Sequence, residues 1–231
     1  MTEAGTALRL TLPADYRHAD VQRFYARDRE QVSERTTGQR IEKALHWQGH
    51  PTLLQLDFSE PGSVLAQLSI AEPDTTALLH YLRNLLGLNQ DIDGLRIAHG
   101  AHPEIARLLR QTPGLRMPQS ASPFEAACWA VIGQMISVDA AISVRRRVTR
   151  ALGTPLANGM HCHPQPDALL GATPDDLRSC GLSASKAATL IRLAKAVESN
   201  QLPLDTWAAP PPSPAAAIAE GLASIKGIGP W

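Results

Sequence analysis

Apolar side chains follow two different spacings along the chain, and the change falls near residue 73. Before that point, residues 7–12, 54–58 and 64–70 alternate apolar and polar side chains, which predicts strands of an antiparallel sheet. Residues 19–29 have apolar positions at helical spacing, and residues 40–47 are a weaker strand candidate. The first part of the chain is therefore predicted to combine a sheet with a helix.

From residue 74 onward the apolar positions recur every three to four residues, which predicts helices only. One helix start is marked by Ser122, Pro123 and Glu125, which supply a capping residue, a proline at the first helical position and an early acidic side chain. Five prolines in residues 202–214 predict a stiff spacer. The predicted helices are 74–86, 103–110, one opening at 122, 138–152, 174–179, 184–198 and 215–223.

The change of period predicts an α+β chain with two domains. Residues 1–112 are expected to form an amino-terminal antiparallel sheet with helices, and residues 113–231 an all-α domain. With 231 residues, 44% of them apolar, the chain is large enough to bury a core in each domain. A β-strand within residues 122–198 would contradict this prediction.

Charge and cysteine content exclude few classes of function. Lys plus Arg and Asp plus Glu both number 22, so the chain has no overall positive field, and nucleic acid would have to be held by local groups. No apolar run is long enough for a membrane span and no secretory signal begins the chain, so we expect a soluble intracellular protein. The cysteines lack a CxxC pair, and His161-Cys162-His163 is interpreted as a loop because three adjacent residues do not close a tetrahedral metal site.

A Gly-x-Gly segment near the end of the sequence is the strongest candidate for binding chemistry. In Ser224-Ile225-Lys226-Gly227-Ile228-Gly229-Pro230, two glycines one residue apart allow a sharp turn that presents backbone N–H groups to a phosphate. A helix starting at Pro230 would add its positive dipole end. The same letters also arise when a glycine ends a helix beside a turn glycine, and taken alone they favour that structural interpretation.

This hairpin and other segments of the chain resemble a known protein family. Pro113 to Pro118, Val131 to Val138 and Ser183 to Ala196 occur in the order and spacing of the helical domain of the helix-hairpin-helix DNA repair glycosylases. The chain is most similar to their alkylpurine branch, the DNA-3-methyladenine glycosylase II family, weakly from Tyr16 and strongly from Pro113. The resemblance implies a base-excision repair enzyme that flips alkylated purines of the 3-methyladenine type out of duplex DNA and hydrolyses the N-glycosidic bond.

The resemblance assigns roles to individual residues. Met135 falls at the position of the side chain that wedges into the duplex, supported by Gln134 and Ser137, although the helical stripe alone would place Met135 in the core. Trp231 stands where bifunctional relatives carry a lysine nucleophile, which implies monofunctional hydrolysis, with the indole as a wall of the base pocket and simple packing as the alternative. The residues expected to bind the DNA backbone are Lys226, Gly227, Ile228 and Gly229.

The family's catalytic aspartate is expected beyond Trp231, so no catalytic residue is transferred to this sequence. We therefore expect a truncated chain that is inactive as given and that exposes Ile225, Ile228 and Trp231. A non-catalytic DNA-binding module is the alternative function, and a protein whose Gly-x-Gly merely stops a helix is a third.

Partners and cofactors are also implied by the resemblance. The expected partner is duplex DNA containing alkylated bases, met in the cytoplasm at the bacterial nucleoid, with no membrane and with a monomer as the complete protein. No cofactor is implied, with a monovalent cation at the hairpin left open. Four arginines on the helix at 138–152 are interpreted as a solvated face rather than a phosphate patch: Arg145, Arg146, Arg147 and Arg150.

Overall fold

The computed structural model describes residues 6–70, 73–209 and 214–229. Within them, a five-stranded antiparallel sheet precedes a region of helices, which confirms the predicted α+β class. All of residues 122–198 are described, and they contain no strand, only a single bridge between Pro155 and His161. The period change near residue 73 was therefore a sound indicator of fold class.

The sheet has the strand order β1-β5-β4-β3-β2. Three of its strands, at residues 6–11, 50–57 and 63–68, largely alternate more and less buried side chains because successive residues point to opposite faces. In β5, for example, Val64, Ala66 and Leu68 are buried while the residues between them are not. The strands are β1 (Thr6–Thr11), β2 (Glu34–Thr37), β3 (Arg40–Trp47), β4 (His50–Asp57) and β5 (Ser63–Leu68).

Strand β2 is absent from the sequence prediction, since its four residues are all polar. It pairs with β3 in a register that sets Glu34 opposite Lys43 and Arg35 opposite Glu42. The Lys43 Nζ and a Glu34 carboxylate oxygen are 2.8 Å apart, and both side chains are buried. Opposite charges facing each other across two strands stabilise the pairing, so charge rather than apolar alternation holds this strand in place.

Four helices accompany the sheet within the described residues of the amino-terminal half. Asp74 begins α2 by accepting hydrogen bonds from the backbone N–H groups of Thr76 and Ala77, and Leu78 and Leu82 on its inner stripe are fully buried. Helix α3 is also missing from the sequence prediction, and it buries no residue. These helices are α1 (His18–Tyr25), α2 (Thr75–Leu85), α3 (Ile92–His99) and α4 (Pro103–Gln111).

The remaining helices form one apolar core with Val131, Leu190 and Leu193 among its fully buried members. The spacer predicted over residues 202–214 is partly wrong, because α10 occupies its first half, with Leu204 buried; residues 210–213 lie outside the described part of the chain. These helices are α5 (Pro123–Gly133), α6 (Val138–Leu152), α7 (Pro166–Gly171), α8 (Pro174–Ser179), α9 (Ala184–Glu198), α10 (Leu204–Ala208) and α11 (Ala215–Ala223).

The chain divides into two compact units that are not continuous in sequence. The sheet unit comprises residues 1–43 and 52–119, and the helical unit comprises residues 44–51 and 120–231. The tip of the β3–β4 hairpin thus belongs to the helical unit, where the Cys162 thiol donates to the backbone oxygen of Leu45 at 3.2 Å. Among the residues described, no helix has the length and apolar character needed to cross a membrane.

The buried ion pair of the sheet unit gives a first prediction. Lys43→Met should lower the free energy of unfolding by about 3 kcal/mol, because it leaves the Glu34 carboxylate buried without its ammonium partner. The double variant Lys43→Met/Glu34→Leu should recover most of that loss, since it removes both charges. Urea denaturation monitored by circular dichroism measures both values. A single variant as stable as the wild type would contradict the prediction.

Candidate nucleic-acid interface

The turn between α5 and α6, residues 134–137, projects an apolar side chain into solvent. Met135 is 100% exposed, although Val131 and Ile132 one turn earlier are fully buried. This excludes the interpretation of Met135 as a core residue. Ile136 and Val138 beside it are 40% and 62% exposed, so the turn forms a small apolar projection.

The backbone of Met135 has an uncommon conformation. Its φ of 56° lies in the left-handed region, which costs a non-glycine residue about 1–2 kcal/mol. Helix α6 begins directly afterwards, with the Ser137 hydroxyl accepting from the backbone N–H of Ala140 at 3.2 Å. The turn is therefore held by its surroundings and lies at the positive end of a helix dipole.

The hairpin that follows α11, residues 224–229, is anchored by two isoleucines. Ile225 and Ile228 are 5% and 8% exposed, and the Ile228 N–H donates to the Ile225 backbone oxygen at 2.9 Å. The expectation that these two side chains would be exposed is wrong, because both complete the core of the helical unit. Trp231 lies outside the described residues, so its exposure and its place at a pocket are not tested.

Between the isoleucines, Lys226 and Gly227 are exposed to solvent. Gly227 has a φ of 105°, and a Cβ at this position would overlap the hydroxyl oxygen of Thr189 on α9. Gly227 is thus required by packing inside the protein, whatever it contacts outside. Gly229 is half-buried.

Helix α9 contacts both the end of α5 and the hairpin. The Lys186 ammonium donates to the Ile132 backbone oxygen at 2.9 Å, close to where α5 ends. The Arg192 Nε donates to the Lys226 backbone oxygen at 2.9 Å. A direct but longer hydrogen bond of 3.4 Å runs from the Gln134 amide to the Gly227 backbone oxygen. The structure therefore brings Gln134, Met135 and Ser137 into one surface with Lys226 and Gly227.

Sequence reasoning assigned no role to Lys186 or Arg192. The one available signal was their spacing with Thr189, since positions three apart share a helix face. Partial burial lowers the pKa of Lys186 from its ordinary value, in keeping with an ammonium that faces protein as well as water.

Two arginines of α6 interact with other protein groups, unlike the side chains of a solvated face. Arg145 forms an ion pair with the buried Glu125 carboxylate and lies over the Trp129 ring, 5.3 Å from its centroid. Arg147 donates to the Cys180 backbone oxygen at 2.7 Å. The solvated-face interpretation is therefore wrong for Arg145, and neither of these two guanidiniums is held out toward a phosphate.

The loop interpretation of His161, Cys162 and His163 agrees with the structure, where these residues lie between helices. The His163 Nδ1 is 2.9 Å from the Pro164 backbone oxygen. No group of His, Cys, Asp and Glu side chains able to hold a metal ion occurs within residues 6–70, 73–209 and 214–229.

Two family models match the chain. Residues 7–122 match the AlkA N-terminal domain, and residues 128–225 match the HhH-GPD superfamily base excision DNA repair protein. DNA-3-methyladenine glycosylase 2 of Escherichia coli is 32% identical over 138 residues, which are 59% of this chain and 46% of that protein. DNA-3-methyladenine glycosylase of Bacillus subtilis is 27% identical over 157 residues, or 67% and 51%. The chain spans about half the length of these curated relatives.

A solved structure has the same fold. The 3-methyladenine DNA-glycosylase from Archaeoglobus fulgidus superposes with a TM-score of 0.80 at 22% sequence identity, over 97% of this chain and 76% of that one. The model of the AlkA N-terminal domain covers just over half of the sequence, and the second model takes up most of the rest. The chain therefore belongs to the AlkA N-terminal domain family and continues into an HhH-GPD superfamily base excision DNA repair domain.

Proposed function

We propose that the protein is a DNA base-excision glycosylase that flips alkylated purines of the 3-methyladenine type out of duplex DNA and hydrolyses the N-glycosidic bond. The observation that carries this proposal is the complete exposure of Met135 on a left-handed backbone, beside a Gly-x-Gly hairpin. The family models and the names of the two curated relatives support the reaction class.

Met135 is the wedge in this proposal. A base that leaves the stack opens a gap between its neighbours, and opening it costs a few kcal/mol. A flexible, unbranched thioether side chain fits such a gap and is removed from water by entering it. Ile136 and Val138 would widen the apolar contact, and Gln134 and Ser137 are proposed to line the minor groove beside it.

The DNA backbone is proposed to lie against the hairpin and the first turn of α6. Lys226 supplies a positive charge, and Gly227 and Gly229 allow backbone N–H groups to approach a phosphate. The Ile228 side chain is buried, so we assign only its backbone to this contact. A chain with equal numbers of acidic and basic residues depends on such local groups for its affinity.

The chemical step is proposed as monofunctional, because Trp231 stands where a bifunctional enzyme needs a lysine nucleophile. We propose Trp231 as a wall of the base pocket, where its π face would stack on an electron-poor alkylated purine. We assign no catalytic residue within this sequence and no cofactor. Alkylated duplex DNA of the bacterial nucleoid is the proposed partner, and a monomer the proposed state.

Binding and excision together test the function. The protein should bind a duplex with a tetrahydrofuran abasic analogue more tightly than the intact duplex of the same sequence at one salt concentration, because the vacated stack accepts the wedge. Excision is measured as release of 3-methyladenine from alkylated duplex DNA. Equal affinity for both duplexes would instead favour a non-catalytic DNA-binding module.

The wedge gives the second prediction. Met135→Ala should reduce the preference for the abasic duplex about tenfold while leaving affinity for intact duplex unchanged, because most of the apolar side chain that fills the gap is removed. The ratio of the two dissociation constants, from fluorescence anisotropy, is the measurement. Met117→Ala is the matched control, since Met117 is 61% exposed but lies in the sheet unit. Equal loss of affinity for both duplexes would refute the wedge.

The hairpin glycines give the third prediction. Gly229→Ala should weaken binding to intact and abasic duplexes by a similar factor, because a Cβ obstructs the approach of a phosphate regardless of base. If Gly229 only stops a helix, the melting temperature will fall while the DNA affinity of the folded fraction stays unchanged.

Gly227 is expected to behave differently from Gly229. Gly227→Ala should destabilise the protein by about 2 kcal/mol or more, since it adds overlap with Thr189 to left-handed backbone strain. Gly159→Ala is the matched control, because Gly159 has a φ of 80° but open space around its Cβ position. Thr189→Ala should recover part of the loss in the Gly227→Ala background. Chemical denaturation of the three variants and the wild type gives these values, and equal losses for Gly227→Ala and Gly159→Ala would contradict the overlap.

A further inference from the structure

One face of α9 carries three polar residues at positions three apart: Lys186, Thr189 and Arg192. We call this set the α9 bracket. Its neighbours Ala187, Leu190 and Leu193 are fully buried, so the helix is fixed in the core of the helical unit. The bracket residues donate hydrogen bonds to the end of α5, just before the 134–137 turn, and to the 224–229 hairpin.

At one end of the bracket, Lys186 acts on the end of α5. The last carbonyls of a helix lack partners within it and form the negative end of its dipole. The Lys186 ammonium donates to one of them, the Ile132 backbone oxygen, at 2.9 Å. This contact is two residues before Gln134 and three before Met135, so it sets the point at which the turn leaves the core.

At the other end, Arg192 acts on the hairpin. Its Nε donates to the Lys226 backbone oxygen at 2.9 Å, and its Nη2 donates to the Thr189 hydroxyl at 3.0 Å. That hydroxyl donates in turn to the Ser185 backbone oxygen at 2.9 Å, which fixes its direction. The guanidinium therefore donates its hydrogen bonds to groups of the protein, and it contacts the hairpin segment that contains Lys226 and Gly227.

We propose that Lys186 and Arg192 are positioning residues that fix the spacing between the Met135 turn and the hairpin before DNA arrives. The inference rests on the proposed function. A wedge and a phosphate-binding loop engage the same duplex at once only when their separation matches the DNA, and holding that separation in advance avoids the loss of entropy on binding. Two basic residues beside a DNA surface would ordinarily be taken as phosphate ligands, whereas here their charges are directed at backbone oxygens of the protein.

Lys186→Met tests the proposal, with Lys195→Met as the matched control on an exposed face of the same helix. Lys186→Met should reduce the preference for the abasic over the intact duplex about tenfold, and Lys186→Arg should restore most of it. The salt dependence of binding to intact duplex should keep its slope, because no phosphate contact is lost. A slope lower by about one would identify Lys186 as a phosphate ligand and overturn the proposal.

A double-variant cycle separates positioning from general stability. In the Met135→Ala background, Lys186→Met should cause no further loss of preference, since a positioning residue acts only through the side chain that it places. Independent losses that multiply would overturn the proposal. Arg192→Met, at the other end of the bracket, should show the same coupling and serves if Lys186→Met does not fold. Failure of the wild type to prefer the abasic duplex would refute the proposed function itself, whereas wild-type preference with an unaffected Lys186→Met variant refutes only the bracket.

Discussion

The burial of α9 is the constraint on which the helical unit depends. This helix packs against α5, α7 and α8, and it approaches them closely because alanines at 187 and 194 accompany the leucines at 190 and 193 on its buried side. A helix so enclosed has one available rotation about its axis. The polar face next to the buried one is consequently fixed as well, and with it the side chains that contact the end of α5 and the hairpin.

The same constraint explains why residue 227 is a glycine. The hairpin lies so close to α9 that Gly227 has no room for a Cβ beside Thr189. Packing inside the protein therefore selects a glycine at residue 227 whether or not a phosphate approaches it from outside. A motif of two glycines does not by itself distinguish these two causes.

Local signals in the sequence were sufficient for the helices with strong caps. Ser122 with Pro123 caps α5 as predicted, and in the structure Thr173 with Asp176 caps α8 and Ser183 caps α9. Helices α6, α8, α9 and α11 begin and end at the predicted residues. Two of the unpredicted elements depend on distant partners or are short. Strand β2 is stabilised by charges on β3, and α10 is a five-residue helix directly after a proline.

At the candidate surface, too, some features follow from the local sequence and others depend on residues distant in the chain. The residues of the turn and the hairpin could be identified by resemblance, but their burial could not. The apolar stripe of α5 continues in sequence through Met135, but the helix ends at Gly133, and Met135 follows on a left-handed backbone with its side chain exposed. Ile225 and Ile228 are buried by α9 and its neighbours, which no pattern within the hairpin reveals. The bracket joins residues 54 and 34 positions apart, beyond the range of any motif.

The division of the β3–β4 hairpin has a consequence for how the chain acquires its structure. Residues 44–51 are synthesised early, yet they belong to the helical unit. There the Leu45 backbone oxygen accepts a hydrogen bond from Cys162, which lies 117 positions later in the chain. Ala44, Leu45 and Trp47 are buried in the folded protein. During synthesis these apolar side chains remain unburied until more than a hundred further residues of the helical unit have left the ribosome. Closing a loop of that length makes folding slow compared with that of a local helical bundle. No single cut in the chain separates the two units, and a fragment starting at residue 120 would lack part of its own core.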